Sequence, residues 1–165
     1  MVWASSGLAL VAGCGDGRLR VWDSRDGRLL DTLPGHRLPI SGVASSADGE
    51  RIVSGGRDGL LKVWTGHADR RFGRELGSDS SEARLVAIGP PPRRWVVAVD
   101  HSRLVFWDAG QPAAVSGARQ KLYANRRLTS VAFSPDGNLL ATGADVRVAL
   151  AGHGVAIWQH ACGRA

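Results

Sequence analysis

The residues of this chain that could do chemistry are its histidines, its cysteines and the aspartates of its turns. The histidines are His36, His67, His101, His153 and His160. None of them has a second histidine, a cysteine or a carboxylate at the spacing of a metal-binding motif. No serine lies in the Gly-x-Ser-x-Gly elbow of a hydrolase. The sequence therefore predicts no catalytic residue and no metal ligand.

Two further patterns raise the question of catalysis or phosphate binding. The run from Gly13 to Gly17 is rich in glycine, but it joins two apolar stretches typical of strands and opens no helix. As catalytic acids, Asp16 and Asp58 would be isolated carboxylates, whereas Asp-Gly is common turn chemistry. We therefore expect a protein without enzymatic activity and without a cofactor.

The elements that must position these residues repeat along the chain. The segments Leu10–Trp22 and Ile52–Trp64 align without a gap at an offset of 42 residues, and Trp95–Trp107 follows at an offset of 43. A fourth copy, Leu140–Trp158, is longer between its two apolar runs. A period of about 40–45 residues built from paired strands is typical of a β-propeller blade.

Turn residues divide each repeat into short strands. Asp-Gly pairs end at Gly17 and Gly59, and similar turns occur at 46–49 and 134–137, with a degenerate one at 89–92. Turns spaced by roughly 8–12 residues are typical of all-β folds, and no segment has the period of an amphipathic helix. The predicted fold class is all-β, with about four antiparallel blades of four strands each.

These motifs resemble the WD-repeat family over essentially the whole chain. The matching motifs are Gly35-His36, the turn Ser134-Pro-Asp-Gly137, and the pairs Trp22-Asp23 and Trp107-Asp108. The resemblance implies a propeller that binds other proteins rather than one that catalyses a reaction. It also implies that four side chains of the second repeat form the structural hydrogen-bond chain of the family, namely His36, Ser54, Asp58 and Trp64.

The other repeats depart from this pattern. Ala12 stands at the serine position of the first repeat, and Val97 and His101 stand at the serine and aspartate positions of the third. Thr65 and Gln159 follow repeat tryptophans where the family has aspartate. A complete hydrogen-bond chain is therefore expected in the second repeat.

Four repeats fill the chain, which we assign as one partial propeller over residues 1–165. The blades occupy approximately residues 1–34, 35–77, 82–118 and 127–165, and the first and last are expected to be incomplete. At the offset of 42, Met1 falls at the position of Val43, so the first blade is expected to have almost no inner strand. We expect an incomplete ring that other blades of a parent propeller complete, in preference to the alternative of a self-sufficient ring of four blades. The isolated chain is then expected to self-associate.

Composition restricts the class of partner. A net charge of +6 and a pI near 10.6 would suit nucleic acid or acidic proteins. The basic side chains are 19 arginines and 2 lysines, scattered without interleaved aromatic residues, which argues against nucleic acid. No run approaches the roughly 18 apolar residues of a membrane span. Cys14 and Cys162 are too few for a disulfide framework, which indicates a reducing, cytoplasmic location.

The expected function is a non-catalytic protein–protein interaction scaffold. By the resemblance, one face should carry the loops of Arg37, Arg57, Arg84, His101, Arg126 and Arg127 and bind other proteins or peptides, acidic ones in particular. One alternative is a regulatory or sensor domain of a larger enzyme or of a cytoskeletal or ciliary assembly. Another rests on Leu10–Arg25, because it resembles the Trp-Asp-x-Arg box of substrate receptors for cullin–RING ubiquitin ligases, in which Arg25 would contact a partner.

Overall fold

The computed structural model of the chain describes residues 1–4, 7–65, 72–78, 82–91, 95–101, 103–108, 120–123, 127–144 and 155–159. In these ranges short strands alternate with turns. The strands are β1 Val2–Ala4, β2 Ala9–Gly13, β3 Arg18–Asp23, β4 Leu29–Pro34, β5 Ile40–Ser45, β6 Arg51–Gly56, β7 Leu60–Thr65, β8 Phe72–Ser78, β9 Leu85–Ile88, β10 Trp95–Asp100, β11 Arg103–Asp108, β12 Gln120–Tyr123, β13 Leu128–Phe133, β14 Leu139–Ala144 and β15 Val155–Gln159. Among these residues no helix is long and apolar enough to span a bilayer.

The strands form four antiparallel sheets, which we call blades 1 to 4 in chain order. Blade 1 contains β1–β4, blade 2 contains β5–β8, blade 3 contains β9–β12 and blade 4 contains β13–β15. In each blade every strand pairs with its neighbour in sequence. The tight turns depend on glycine: Gly17 and Gly59 both have a φ of 78°, a conformation that residues with a Cβ rarely adopt. Each sequence repeat thus forms most of one blade.

The blades pack side by side in chain order. The first strand of each blade contacts the first strand of the next, so that β1 lies against β5, β5 against β9 and β9 against β13. The first strands therefore share one side of the stack, and the later strands of each blade lead away from it. This is the arrangement of blades about a propeller axis.

The core consists of clusters between neighbouring blades. Successive side chains of a strand point to opposite faces, so each blade has one face toward the preceding blade and one toward the following blade. Ile52 and Trp64 are cross-strand partners on the preceding face of blade 2. They pack against Val11 and Val21, which are cross-strand partners on the following face of blade 1.

The same contact recurs between the next two pairs of blades. Val96 and Trp107 on the preceding face of blade 3 pack in one cluster with Val53 and Val63 of blade 2. A third cluster joins the following face of blade 3 to blade 4 through residues such as Phe106 and Leu140. Burial of a large apolar side chain contributes about 1.5–3 kcal/mol relative to its exposure. The contacts between blades therefore supply most of the apolar stabilisation.

The predicted all-β partial propeller is confirmed, but blade 1 differs from its expected form. The sequence predicted almost no inner strand there, whereas β1 is present and pairs with β2 through Val2 with Val11 and Trp3 with Leu10. This strand has three residues where the equivalent β5 has six. The expectation of almost no inner strand is therefore corrected to a shortened strand of three residues.

The register of blade 3 also differs from the gap-free alignment. Trp64 pairs with Ile52 in blade 2, but Trp107 pairs with Val96 rather than with Trp95. The β10–β11 turn is one residue shorter, because Asp100 pairs directly with Arg103. Ala98, and not Val97, consequently occupies the position of Ser54.

The blade boundaries differ slightly from the predicted ones. Strand β8 ends at Ser78, and β12 covers Gln120–Tyr123, beyond the predicted end of the third blade at 118. The lengthened hairpin predicted around 145–154 and the last residues, 160–165, lie outside the described residues. Blade 4 is therefore described through its first three strands.

Candidate functional site

Four side chains of blade 2 form a continuous hydrogen-bond chain. His36 lies in the link before β5, Ser54 in β6, Asp58 in the β6–β7 turn and Trp64 in β7. The Nε1–H of Trp64 donates to Ser54 Oγ at 2.9 Å. Ser54 Oγ lies 2.8 Å from Nε2 of His36, and Nδ1 of His36 lies 2.9 Å from Oδ1 of Asp58. The structure thus brings together the four residues singled out in the second repeat.

The direction of the hydrogen bonds follows from the groups at the two ends. An indole N–H can only donate and an ionised carboxylate can only accept. His36 therefore donates from Nδ1 to Asp58, and a neutral imidazole then accepts at Nε2 the proton of the Ser54 hydroxyl. Asp58 also accepts the backbone N–H of Arg37 at 2.9 Å and of Leu60 at 3.2 Å. Each polar side-chain group of this hydrogen-bond chain has a partner, as burial requires.

The order serine, histidine, aspartate is that of a hydrolytic triad, but the setting differs. A catalytic serine must present its oxygen to a substrate. Ser54 is 0 % exposed, and its oxygen already accepts the indole N–H of Trp64. The Asp58 side chain is 7 % exposed. What this geometry can do is hold the turn, the link before β5 and the preceding face of blade 2 in one arrangement.

The pKa of the Asp58 carboxyl lies below its ordinary value of 3.8. Burial by itself would raise this pKa, but the hydrogen bond from His36 and those from the backbone of Arg37 and Leu60 outweigh it. A carboxyl whose pKa is lower in the folded than in the unfolded chain stabilises the fold above its unfolded pKa. That contribution is lost as the pH falls through the folded pKa.

We expect Asp58→Asn to reduce the acid sensitivity of the fold. Asparagine keeps an accepting oxygen but does not titrate in this range. The unaltered chain loses stability when Asp58 is protonated below about pH 4, and the variant does not undergo this loss. Urea unfolding midpoints measured from neutral pH downward check this. Asp136, whose pKa is lowered to about 2 by hydrogen bonds from Ser134 and Asn138, titrates in both proteins. The relevant quantity is therefore the difference between the two pH profiles, and parallel profiles would contradict the expectation.

The equivalent positions of the other blades are filled differently. In blade 1, Asp16 is exposed and forms an ion pair with Arg20 at 2.7 Å. In blade 3, His101 occupies the turn with a φ of 49°. Its Nδ1 lies 2.7 Å from Oδ1 of Asp100, and its Nε2 lies 3.3 Å from Nη1 of Arg84. The turns of blades 1 and 3 thus carry polar clusters that reach the surface through Asp16 and His101, instead of a buried hydrogen-bond chain.

Most of the predicted partner-binding residues lie at one end of the blades. We call this the loop end: it carries the β2–β3, β6–β7 and β10–β11 turns and the links that precede β5, β9 and β13. Backbone hydrogen bonds tie these segments together, from Arg57 N to Pro39 O at 2.9 Å and from Leu128 N to His101 O at 2.6 Å. The predicted residues found there are Arg37, Arg57, Arg84, His101 and Arg127. Arg126 lies outside the described residues.

Carboxylates accompany the basic groups of the loop end. Nε of Arg57 lies 3.4 Å from Glu82, although the Arg57 side chain is largely exposed. Arg84 is half-buried and directed to His101, which also contacts Asp100. Arg37 and Arg127 are exposed. The end is therefore a mixed surface with a basic excess.

Arg25 does not belong to this surface. It is exposed in the β3–β4 turn, at the opposite end of blade 1, where its backbone N–H donates to Asp23 at 2.8 Å. The box that ends at Arg25 and the loop end thus lie at opposite ends of the blades. In the described part of the chain, no three histidine, cysteine or carboxylate side chains are grouped to hold a metal ion.

Comparison with known proteins agrees with the fold. The sequence model for "WD domain, G-beta repeat" matches residues 1–23, 27–65 and 119–145. Cilia- and flagella-associated protein 52 of Bos taurus is 24% identical over 87% of this chain and 23% of its own length. Pre-mRNA-processing factor 19 homolog 2 of Arabidopsis thaliana is 26% identical over 91% of the chain and 28% of its own length. Small ribosomal subunit protein RACK1y of rice (Oryza sativa subsp. japonica) is 31% identical over 81% of the chain and 40% of its own length. The chain thus spans less than half the length of these relatives.

Proposed function

Since the chain belongs to the WD-repeat family, whose members generally mediate protein–protein interactions, we propose that it is an interaction scaffold whose loop end binds an acidic segment of a partner protein. The observation that supports this most directly is the gathering of Arg37, Arg57, Arg84, His101 and Arg127 at one end of three packed blades. Loops on a rigid support are where recognition residues concentrate.

The rigidity of this end supports a binding role. Arg37 follows His36 directly, and its backbone N–H is held by Asp58 of the buried chain. Arg57 precedes Asp58 in the same turn, and its backbone N–H is held by Pro39. Both guanidinium groups therefore extend from a backbone that is ordered before any partner arrives, which lowers the entropy cost of binding.

The relatives differ in the assemblies that their names describe. These names refer to cilia and flagella, to pre-mRNA processing and to the small ribosomal subunit. The property they share with this chain is the repeat itself, and the general scaffold role is the part of the proposal that they support. We keep three more specific proposals, namely a regulatory or ciliary role, a ubiquitin-ligase contact through Arg25, and a cytoplasmic location.

Reversing two charges at the loop end is expected to weaken the binding of acidic peptides by about tenfold or more. The variant is Arg57→Glu with Arg127→Glu, two exposed side chains from separate segments of this end. The probe is a pool of fluorescent glutamate-rich peptides, and their binding is measured by fluorescence anisotropy. Raised salt should also weaken the binding, because the screening length is only about 10 Å at 0.1 M salt.

The matched control is Arg25→Glu with Arg28→Glu, which changes the net charge equally at the opposite end of blade 1. It should retain the affinity of the unaltered chain. Equal losses in the two variants would mean that net charge, and not the loop end, attracts the peptides. Tight binding to duplex DNA with a steep salt dependence would instead favour a nucleic-acid partner.

A further inference from the structure

A histidine at the loop end lies between a carboxylate and a guanidinium. His101 occupies the β10–β11 turn, and its side chain is 58 % exposed. Its Nδ1 lies 2.7 Å from Oδ1 of Asp100, the residue before it. Its Nε2 lies 3.3 Å from Nη1 of Arg84, which belongs to the link before β9. One titratable side chain therefore joins a carboxylate to one of the basic groups of the loop end.

The two neighbours fix which nitrogen of His101 carries the proton. An ionised carboxylate can only accept a hydrogen bond, so Nδ1 donates to Asp100. A guanidinium can only donate, so Nε2 accepts an N–H of Arg84. The two contacts exist together only while the imidazole is neutral. The nitrogen that takes up a proton is therefore the one that holds Arg84.

Protonation of Nε2 has opposite consequences for the two contacts. The hydrogen bond to Asp100 is retained and becomes an ion pair, because Nδ1 carries a proton in both states. The contact with Arg84 is lost, because Nε2 no longer accepts and two positive groups then face each other. At 3.3 Å the lost contact is the longer, and so the weaker, of the two.

The charges around His101 permit this exchange. The charged groups on the segments around the turn, within the part of the chain that the structure describes, are Glu82, Arg84, Asp100, Arg103 and Arg127. Asp100 favours the imidazolium at close range, and its own side chain is only 16 % exposed, so that water screens this attraction little. Arg127 is exposed, and its repulsion is screened by water and salt. Glu82 is occupied by Arg57 at 3.4 Å.

Only side chains have to move when the contact is lost. The backbone N–H of Arg84 donates to the carbonyl of Val99 at 3.0 Å, which ties the link before β9 to β10. The carbonyl of His101 accepts the N–H of Leu128 at 2.6 Å, which ties the turn to the link before β13. A guanidinium that leaves the imidazole therefore remains at the loop end and turns into the solvent there.

We propose that protonation of His101 releases the Arg84 guanidinium, so that the loop end binds an acidic segment more tightly as the pH falls from about 8 to about 6. The inference rests on the proposed function, since the acidic segment is the partner named there. Imidazole is the side chain whose charge ordinarily changes in this interval, whereas the carboxylates of the partner stay ionised. The loop end thus gains the imidazolium charge and a freed guanidinium together.

The binding test compares pH 8 with pH 6 at constant ionic strength, with acetylated glutamate-rich peptides as the probe. The unaltered chain should bind about three- to tenfold more tightly at the lower pH. His101→Asn removes the titrating ring but suits the turn, because asparagine tolerates the positive φ of 49° found there. Its affinity should be the same at the two pH values, and a gain that persists in this variant overturns the proposal.

Arg84→Gln separates release of the guanidinium from direct attraction by the imidazolium. This variant keeps the titrating ring of His101 and removes the group that the ring holds, so it should lose most of the gain. If Arg84→Gln bound the peptides as much more tightly at pH 6 as the unaltered chain does, the imidazolium itself would attract them. That result would overturn the proposal.

Nuclear magnetic resonance tests the release without a peptide. The imidazole resonances of His101 and the Cζ resonance of Arg84 should change with one common midpoint, and His101→Asn should abolish the change at Arg84. The dispersion of the other resonances shows that the variants are folded. An Arg84 resonance that does not follow His101 overturns the proposal even if peptides bind. If peptides bind at neither pH, the proposed function fails, while a common midpoint still supports the release of Arg84.

Discussion

Replacing Asp58 by alanine is expected to destabilise the protein by about 1–3 kcal/mol, the usual cost of leaving buried hydrogen-bonding groups without partners. The substitution removes the acceptor of the His36 side chain and of the Arg37 and Leu60 backbone. Each kcal/mol corresponds to a fall of roughly 2–4 °C in the melting temperature of a chain of this size. Thermal unfolding followed by circular dichroism measures the effect.

The matched control is Asp16→Ala, at the equivalent turn of blade 1. Asp16 is exposed, and its ion pair with Arg20 is of the surface type that contributes about 1 kcal/mol or less. The two substitutions delete the same atoms from the same turn type. The difference between their effects on the melting temperature therefore isolates the contribution of the buried hydrogen-bond chain. If Asp58→Ala left the melting temperature as high as Asp16→Ala does, the hydrogen-bond chain of blade 2 would have no structural role.

The arrangement of the four blade 2 side chains could be anticipated because it depends on residue types at fixed positions of a repeat. His36 and Asp58 are 22 residues apart in sequence and 2.9 Å apart in space. A buried serine, histidine, aspartate and indole N–H can be accommodated only if they satisfy one another. The direction of proton donation was not predictable, since it follows from which atoms face each other once the strands are paired.

The register of blade 3 could not be read from the alignment. One residue missing from a turn leaves the spacing of the tryptophans almost unchanged, yet it shifts the pairing of β10 by one position. Such a shift moves every side chain to the other face of the sheet. Val97, predicted at the serine position, therefore lies in the cluster toward blade 4, while Ala98 takes that position toward blade 2.

The different burial of Trp22 and Trp64 was equally hidden from the sequence. The two tryptophans end repeats that align without a gap, and their cross-strand partners Leu10 and Ile52 are both aliphatic. Trp64 is buried because blade 1 lies against it. The burial of a repeat tryptophan therefore depends on whether a neighbouring blade covers it, and the sequence of the repeat itself does not determine this. The charge pairs at the loop end could not be predicted for the same reason, since Glu82 faces Arg57 only after two blades have packed.

Replacing Gly17 by alanine is expected to destabilise the protein by about 2–4 kcal/mol, more than any single surface substitution. Gly17 has a φ of 78°, which costs an alanine about 1–2 kcal/mol. In addition, a Cβ at this position would overlap the carbonyl oxygen of His36. The backbone cannot yield easily, because the N–H of His36 donates to the carbonyl of Gly17 at 2.7 Å.

The control is Gly27→Ala in the β3–β4 turn. Gly27 has a similar φ of 72°, but a Cβ there would meet no atom within 4 Å. It should therefore show the conformational cost of about 1–2 kcal/mol alone. Urea unfolding gives both values, and hydrogen exchange at the His36 amide reports whether the contact between Gly17 and His36 has opened. Equal destabilisation by the two alanines, with the His36 amide still protected, would show that the blade 1 turn does not hold the His36 link in place.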